Sequence, residues 1–295
     1  MSRLFSALRT ILVLGRVSNL PTVWTNVAAG WYLSGGSHRI ELLWILFGVT
    51  LLYLAGMTLN DAFDARWDRE HAPERPIPSG KISQAAVWTI GATQLVAGIG
   101  VVVLFSTMHL GFLLGLVAAI LLYDGLHKKW RGSVLFMGTC RALVYLGSAS
   151  AVVSQPAELE IPSMVWIIAT CVVVYVAGLT LAARDERVRE GGGTSFPVRL
   201  MLMLPILFPL IASSWIPAGL EKTALIMTGI VLIWSWLVMC RARLAQSIPR
   251  GIAGFIAGMA LFDAAAVVFV DWRVAVACVG AFLLTLAWQR VIPAT

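Results

Sequence analysis

Apolar residues fill this chain in long unbroken blocks, and polar residues gather between the blocks instead of alternating with them. Blocks long enough to span a bilayer run over about 17–35, 41–60, 84–106, 108–124, 134–153, 161–182, 198–216, 222–240, 252–270 and 273–290. A helix satisfies its own backbone in lipid, so the pattern predicts an all-α fold, a polytopic transmembrane helical bundle of nine to ten helices. Several connections are very short, and the last two blocks are parted by little more than Asp271 and Trp272. Nothing in the pattern divides the chain, so 1–295 reads as a single transmembrane domain. Two connections stand apart as long and polar, 60–83 and 184–197.

Composition closes off other classes. At 59% hydrophobic, 13% charged and a mean hydropathy of +0.85, the 295 residues are too apolar for a soluble domain. Lys and Arg favour cytoplasmic loops. With the amino terminus inside and ten passes, only Arg39, Lys222 and Arg273 of the 22 fall on the outer side. Both long polar connections then face the cytoplasm, in a cell membrane of bacterial inner-membrane type. The net charge of +7 follows from this topology and needs no nucleic acid. Arg3, Arg9 and Arg16 break up the first apolar residues, which suits a cytoplasmic anchor better than a cleaved signal peptide. Cys140, Cys171, Cys240 and Cys278 lie apart within apolar blocks, without metal spacing, and read as packing residues.

The chemistry concentrates in Asn60-Asp-Ala-Phe-Asp-Ala-Arg-Trp-Asp68. On a helix of about 100° per residue, Asp61, Asp64 and Asp68 fall within about 60° of one another, with Asn60 beside them. Three carboxylates on one stripe repel unless a hard cation joins them, and Mg2+ held by carboxylates completes its shell with water and substrate phosphate oxygens. A diphosphate substrate is the implied partner. Two prolines and a glycine in Arg75-Pro-Ile-Pro-Ser-Gly80 turn the chain toward the next helix. In the second connection Glu186 and Glu190 are four apart and could offer two more metal ligands, or could pair with Arg184, Arg187 and Arg189 as a surface ladder. Asp263, alone in an apolar block, reads first as a hydrogen-bonded core acid, although an intramembrane acid always raises a functional question. Lys128, Lys129 and Arg131 could be topology anchors or ligands for phosphate. The two acidic connections each end a block and stand an even number of passes apart, a hint of internal duplication.

The stretch from Asn60 to Asp68 resembles the first motif of the UbiA superfamily of intramembrane prenyltransferases, Asn-Asp-x-x-Asp-x-x-x-Asp, in full. Arg75-Pro-Ile-Pro-Ser-Gly80, the Tyr123 and Lys128 pair and the succession of helices extend the likeness over most of the chain. Gly15 to Asn26 and Tyr123 to Lys129 look most like the EboC branch. The resemblance implies a helical bundle around a central cavity open to the cytoplasm and laterally to lipid. It further implies transfer of a prenyl group from a prenyl diphosphate to a small or lipidic acceptor, with Mg2+ as cofactor and membrane lipid as surroundings. Asn60, Asp61, Asp64, Asp68, Glu186 and Glu190 would hold the metal. Asn60, Arg75, Lys128 and Arg184 would hold the diphosphate, and Tyr123 would join the catalytic set. Two features depart from the pattern: the second motif is Glu186-x-x-x-Glu190 where Asp-x-x-x-Asp is common, and Tyr123 and Lys128 are five apart where four is usual. A terpene cyclase of the same fold is the alternative, and a non-catalytic transporter or assembly partner is a third reading.

Overall fold

The computed structural model describes residues 2–37, 39–153, 160–186, 196–203, 218–244 and 248–294. Among them every regular element is helical. The helices are α1 (Ser2–Leu14), α2 (Leu20–Leu33), α3 (Arg39–His71), α4 (Gln84–Phe105), α5 (Leu110–Leu126) and α6 (Val134–Ser150). They continue as α7 (Ser163–Glu186), α8 (Phe196–Met203), α9 (Glu221–Leu244), α10 (Ile248–Val267) and α11 (Trp272–Trp288). Each of the ten apolar blocks coincides with a helix over its described part. By length and composition, Ile40–His71, Gln84–Phe105, Ser163–Arg184 and Glu221–Cys240 can cross a membrane unaided, and shorter apolar helices lie among them. Their outer faces stay apolar where no helix covers them: Leu104, Ile226, Ile233, Trp236 and Leu283 are all exposed, as lipid contact requires.

Local chemistry sets the helix ends. Pro21 occupies the first turn of α2, where its missing N–H costs nothing. Ser83 starts α4 by accepting from the Ala86 N–H at 3.2 Å, and Asp271 starts α11 by accepting from the Arg273 N–H at 2.8 Å. The 72–82 turn closes on Gly80 at φ +73°, a left-handed position that favours glycine.

The bundle is built around α2, which packs against α3, α6, α7, α10 and α11. Two large apolar clusters fill most of it, beside a small third one of Leu14, Ala62 and Val87. One joins α6, α7, α9, α10 and α11, and the other joins α2, α3, α5 and α6. Glycine lets helix axes close up, and two of these contacts involve α6. Gly30 of α2 lies against the Tyr145 backbone of α6, and at Gly138 of α6 a Cβ would stand 2.7 Å from the Val173 carbonyl oxygen of α7.

The acidic connection differs from its sequence reading. Residues 60–71 form no loop but the last three turns of α3, a helix of 33 residues. Its inner side buries Ala62 and Ala65 while its polar stripe meets the neighbouring turns, so the helix continues past the end of its apolar run.

Candidate active site at the polar end of a membrane cavity

The carboxyl ends of α3, α5 and α7 meet on one side of the bundle, above a cavity of about 540 Å³. Asn60, Asp64, Tyr123, Asp124 and Arg184 line it at those helix ends. Deeper along the same helices its wall is apolar, with Leu52, Leu116 and Val176. A charged mouth over an apolar barrel suits a ligand with an anionic head and a hydrocarbon tail.

Carboxylates and cations interleave at the mouth. Asp61, Asp64 and Asp68 are all buried. Arg75 Nη1 donates to Asp68 Oδ2 at 2.9 Å and stands 3.6 Å from Asp61 Oδ1. The 72–82 turn makes this reach possible, since Arg75 N–H bonds back to the Ala72 carbonyl and the Ser79 N–H to the Arg75 carbonyl. Lys128 Nζ lies 3.2 Å from Asp64 Oδ2 and 3.7 Å above the Trp67 ring. His127 Nε2 is 3.1 Å from the same Asp64 oxygen, with its ring stacked on Tyr123 at 5.0 Å between centroids.

Arg16 completes the ring from the chain's other end. It holds φ +42°, a left-handed position uncommon outside glycine, and its Nη2 reaches Asp61 Oδ1 at 3.4 Å. Burial pulls its pKa down while neighbouring negative charge, Asp61 foremost, pushes it up, and the net direction is upward.

Asn60 donates to Asp124 Oδ1 at 3.0 Å, tying α3 to α5. Arg184 lines the cavity, yet its hydrogen bonds run to the turn after α5: to the His127 carbonyl at 2.6 Å, the Ser133 hydroxyl at 2.8 Å and the Arg131 carbonyl at 3.1 Å. It thereby fastens the end of α7 beside Lys128. Glu186 is the last residue of α7, with its side chain outside the description, and Glu190 lies outside the described residues. Asp263 is fully buried between Asn26 and Tyr145, in keeping with the hydrogen-bonded reading.

The donor set fits a hard divalent cation. Asp68 Oδ1 and Asp124 Oδ2 are buried with no hydrogen-bond partner among the described residues, a costly arrangement unless something binds them. No three His, Cys, Asp or Glu side chains among the described residues converge on one point.

The chain is thus an all-helical bundle of the membrane-spanning class, with carboxylates and cations at one end of a largely apolar cavity. Residues 20–250 match the UbiA prenyltransferase family, and the chain belongs to it. A UbiA homolog from Aeropyrum pernix K1 has the same fold, with a TM-score of 0.62 at 21% identity over 87% of this chain and 98% of that one. A digeranylgeranylglyceryl phosphate synthase of Methanospirillum hungatei is 32% identical over 33% of this chain and 35% of its own length. A 4-hydroxybenzoate octaprenyltransferase of Polynucleobacter asymbioticus is 34% identical over 28% of this chain and 30% of its own. The chain thus spans about a third of the length of these curated relatives.

Sequence reasoning missed Arg16, Asp124 and His127 as site residues. Arg16 was read only as an anchor. Asp124 and His127 stood in plain view beside Tyr123 and Lys128, and an acid at the end of an apolar block was the available signal.

Proposed function

We propose that the chain is an intramembrane prenyltransferase that moves a prenyl group from a prenyl diphosphate to a small or lipidic acceptor. The observation that carries this reading is Asp64, Arg16, Arg75 and Lys128 lining the polar end of an apolar cavity, with Asp61 and Asp68 buried and paired to those arginines. Mg2+, when bound, would add its charge to the diphosphate oxygens and so stabilise them as a leaving group. Asp61, Asp64 and Asp68 would hold it, with Asn60 beside them and Glu186 and Glu190 as further ligands from the second connection. Arg75 and Lys128, with Arg16 and Arg184 near them, would meet the remaining negative charge.

The reaction follows from this placement. The allylic carbon–oxygen bond breaks and its electron pair leaves with the diphosphate. The acceptor's nucleophilic atom bonds to the allylic carbon and gives up its proton to the departed diphosphate. Leu52, Leu116 and Val176 exclude water from the prenyl tail, while Tyr123 and Trp67 present aromatic faces near the head. The polar connections face the cytoplasm in this reading, so a water-borne diphosphate reaches the mouth and the tail enters from lipid.

The test uses membranes bearing the full chain, labelled prenyl diphosphates and Mg2+. Diphosphate release that requires an added acceptor supports transfer. Release without an acceptor, with a cyclic hydrocarbon or alcohol as product, supports the cyclase alternative. No release at any chain length would favour a non-catalytic role.

A further inference from the structure

The residues that follow α11 return to the polar end of the cavity. The helix ends after Trp288, where the Gln289 N–H bonds to the Thr285 carbonyl and the Ile292 N–H to the Trp288 carbonyl, both at 2.9 Å. Pro293 has no N–H and cannot extend the helix, so the chain leaves it there. Ile292 and Ala294 are buried, and Ala294 lines the same cavity as Arg16 and Asn19. Asn19 grips this segment at two points. Its amide nitrogen donates to the Ala294 carbonyl at 2.9 Å, and its side-chain oxygen accepts from Gln289 Nε2 at 3.2 Å. Gln289 Nε2 also donates to the Ala253 carbonyl of α10 at 3.1 Å, and the Ser18 hydroxyl lies 3.5 Å from the Pro293 carbonyl.

Arg16 stands on the far side of this contact. It holds φ +42° and ψ +48° directly before the single 3-10 turn Val17–Asn19. That left-handed conformation is costly for a residue with a Cβ and persists only where the surroundings over-determine it. The Arg16 carbonyl accepts from the Asn19 N–H at 3.0 Å and from the Tyr53 hydroxyl at 3.3 Å. Asn19 is itself buried, and its own carbonyl accepts from the Thr22 hydroxyl at 2.7 Å. Asn19 therefore carries the Arg16 turn on its backbone and the 289–294 segment on its side chain. Arg16 Nη2 then reaches Asp61 Oδ1 at the mouth.

We propose that residues 289–294 form a clip that holds Arg16 in its left-handed backbone and so fixes where its guanidinium stands, with Gln289 a positioning residue acting through Asn19. This rests on the prenyltransferase reading and extends it: one of the cations that meet the diphosphate is set by a side chain 270 residues from Asn19. Without the clip the Asn19 side chain is released, the turn relaxes toward ordinary right-handed backbone, and the guanidinium leaves Asp61.

The test is a double-mutant cycle on the full chain in detergent, read by calorimetric titration of inorganic diphosphate with Mg2+. Arg16→Gln should weaken binding about tenfold, the size expected of a charge-assisted contact. Gln289→Leu removes both hydrogen bonds at similar volume. It should weaken binding about threefold or more in the native background and less than about twofold once Arg16 is replaced, because a residue that acts through Arg16 then has nothing to act on. Asn19→Ala cuts the clip from its other side, guards against a folding defect in the Gln289 variant, and should show the same dependence on Arg16. Equal effects with and without Arg16, or no effect of Gln289→Leu in a chain that binds diphosphate, overturn the clip. A second readout involves no ligand: amide hydrogen exchange at 16–19 should be about tenfold faster in Gln289→Leu than in wild type. Unchanged exchange there overturns the clip as well. Faster exchange in the variant, beside a wild type that binds no diphosphate, would uphold the clip while sinking the transferase reading.

Discussion

Replacing Asp68 with Asn changes one charge and almost no volume at the most buried of the three stripe carboxylates, which is 1% exposed. In the native protein Asp68 Oδ2 receives Arg75 Nη1 at 2.9 Å, and Oδ1 is the oxygen with no hydrogen-bond partner among the described residues. The Asn carbonyl can still accept from Arg75, and Arg75 keeps Asp61 at 3.6 Å. The stability cost is therefore about 1–2 kcal/mol, below the roughly 3–5 kcal/mol of a fully orphaned buried charge. Activity should respond far more. If Asp68 helps hold the cation that stabilises the departing diphosphate, losing its charge should cost on the order of 100-fold in turnover. The assay pairs release of labelled diphosphate with thermal unfolding in the same detergent. A folded Asp68→Asn variant retaining more than about a tenth of wild-type turnover would refute the reasoning, because loss of an electrostatic stabiliser at the reacting centre is larger than that.

Lys128→Gln should raise the KM for prenyl diphosphate about tenfold, with under about 1 kcal/mol of stability lost because the lysine is part exposed; an unchanged KM would remove it from the diphosphate site. Gly138→Ala should destabilise by about 1–3 kcal/mol, since the new Cβ meets the Val173 backbone, while Gly229→Ala, where a Cβ meets nothing within 4 Å, should be neutral or slightly stabilising; thermal unfolding that ranks them the other way contradicts the α6–α7 packing. Glu186→Gln combined with Glu190→Gln should raise the Mg2+ requirement and lower turnover; an unchanged Mg2+ titration would leave the α3 stripe as the sole carboxylate ligands. Single cysteines at 61–83, placed in a chain without the four native ones, should resist an impermeant thiol reagent on intact cells while those at 154–160 react; labelling at 61–83 would reverse the orientation.

Much of the architecture was legible because lipid imposes a simple rule, that an apolar block of spanning length is a helix. The same rule misplaced the end of α3. Hydropathy falls after Asn60, yet the helix runs on to His71 because small buried residues on one side and ion pairs on the other sustain it. The carboxylate stripe was readable from local spacing alone. Its cations were only partly so, since Arg75 sits seven residues from Asp68 whereas Arg16 and His127 reach their aspartates across 45 and 63 residues. The Asn26 contact of Asp263 was hidden for the same reason, as the two are 237 residues apart. Periodicity within one helix says nothing about which helices pack together. The UbiA likeness held, whereas the named relatives do not bear on its EboC branch.

The central claim is that a single diphosphate head lies between the α3 carboxylates and the Arg75 and Lys128 cations, with its tail in the apolar cavity. A structure of the full chain in lipid nanodiscs with Mg2+ and a non-hydrolysable prenyl thiodiphosphate tests it most directly. The account predicts diphosphate density at the mouth, within reach of Asp61, Asp64, Asp68, Arg75 and Lys128, and a tail running past Leu52 and Leu116. Diphosphate density seated elsewhere, or a tail lying outside the cavity with those side chains still paired to one another, would contradict it.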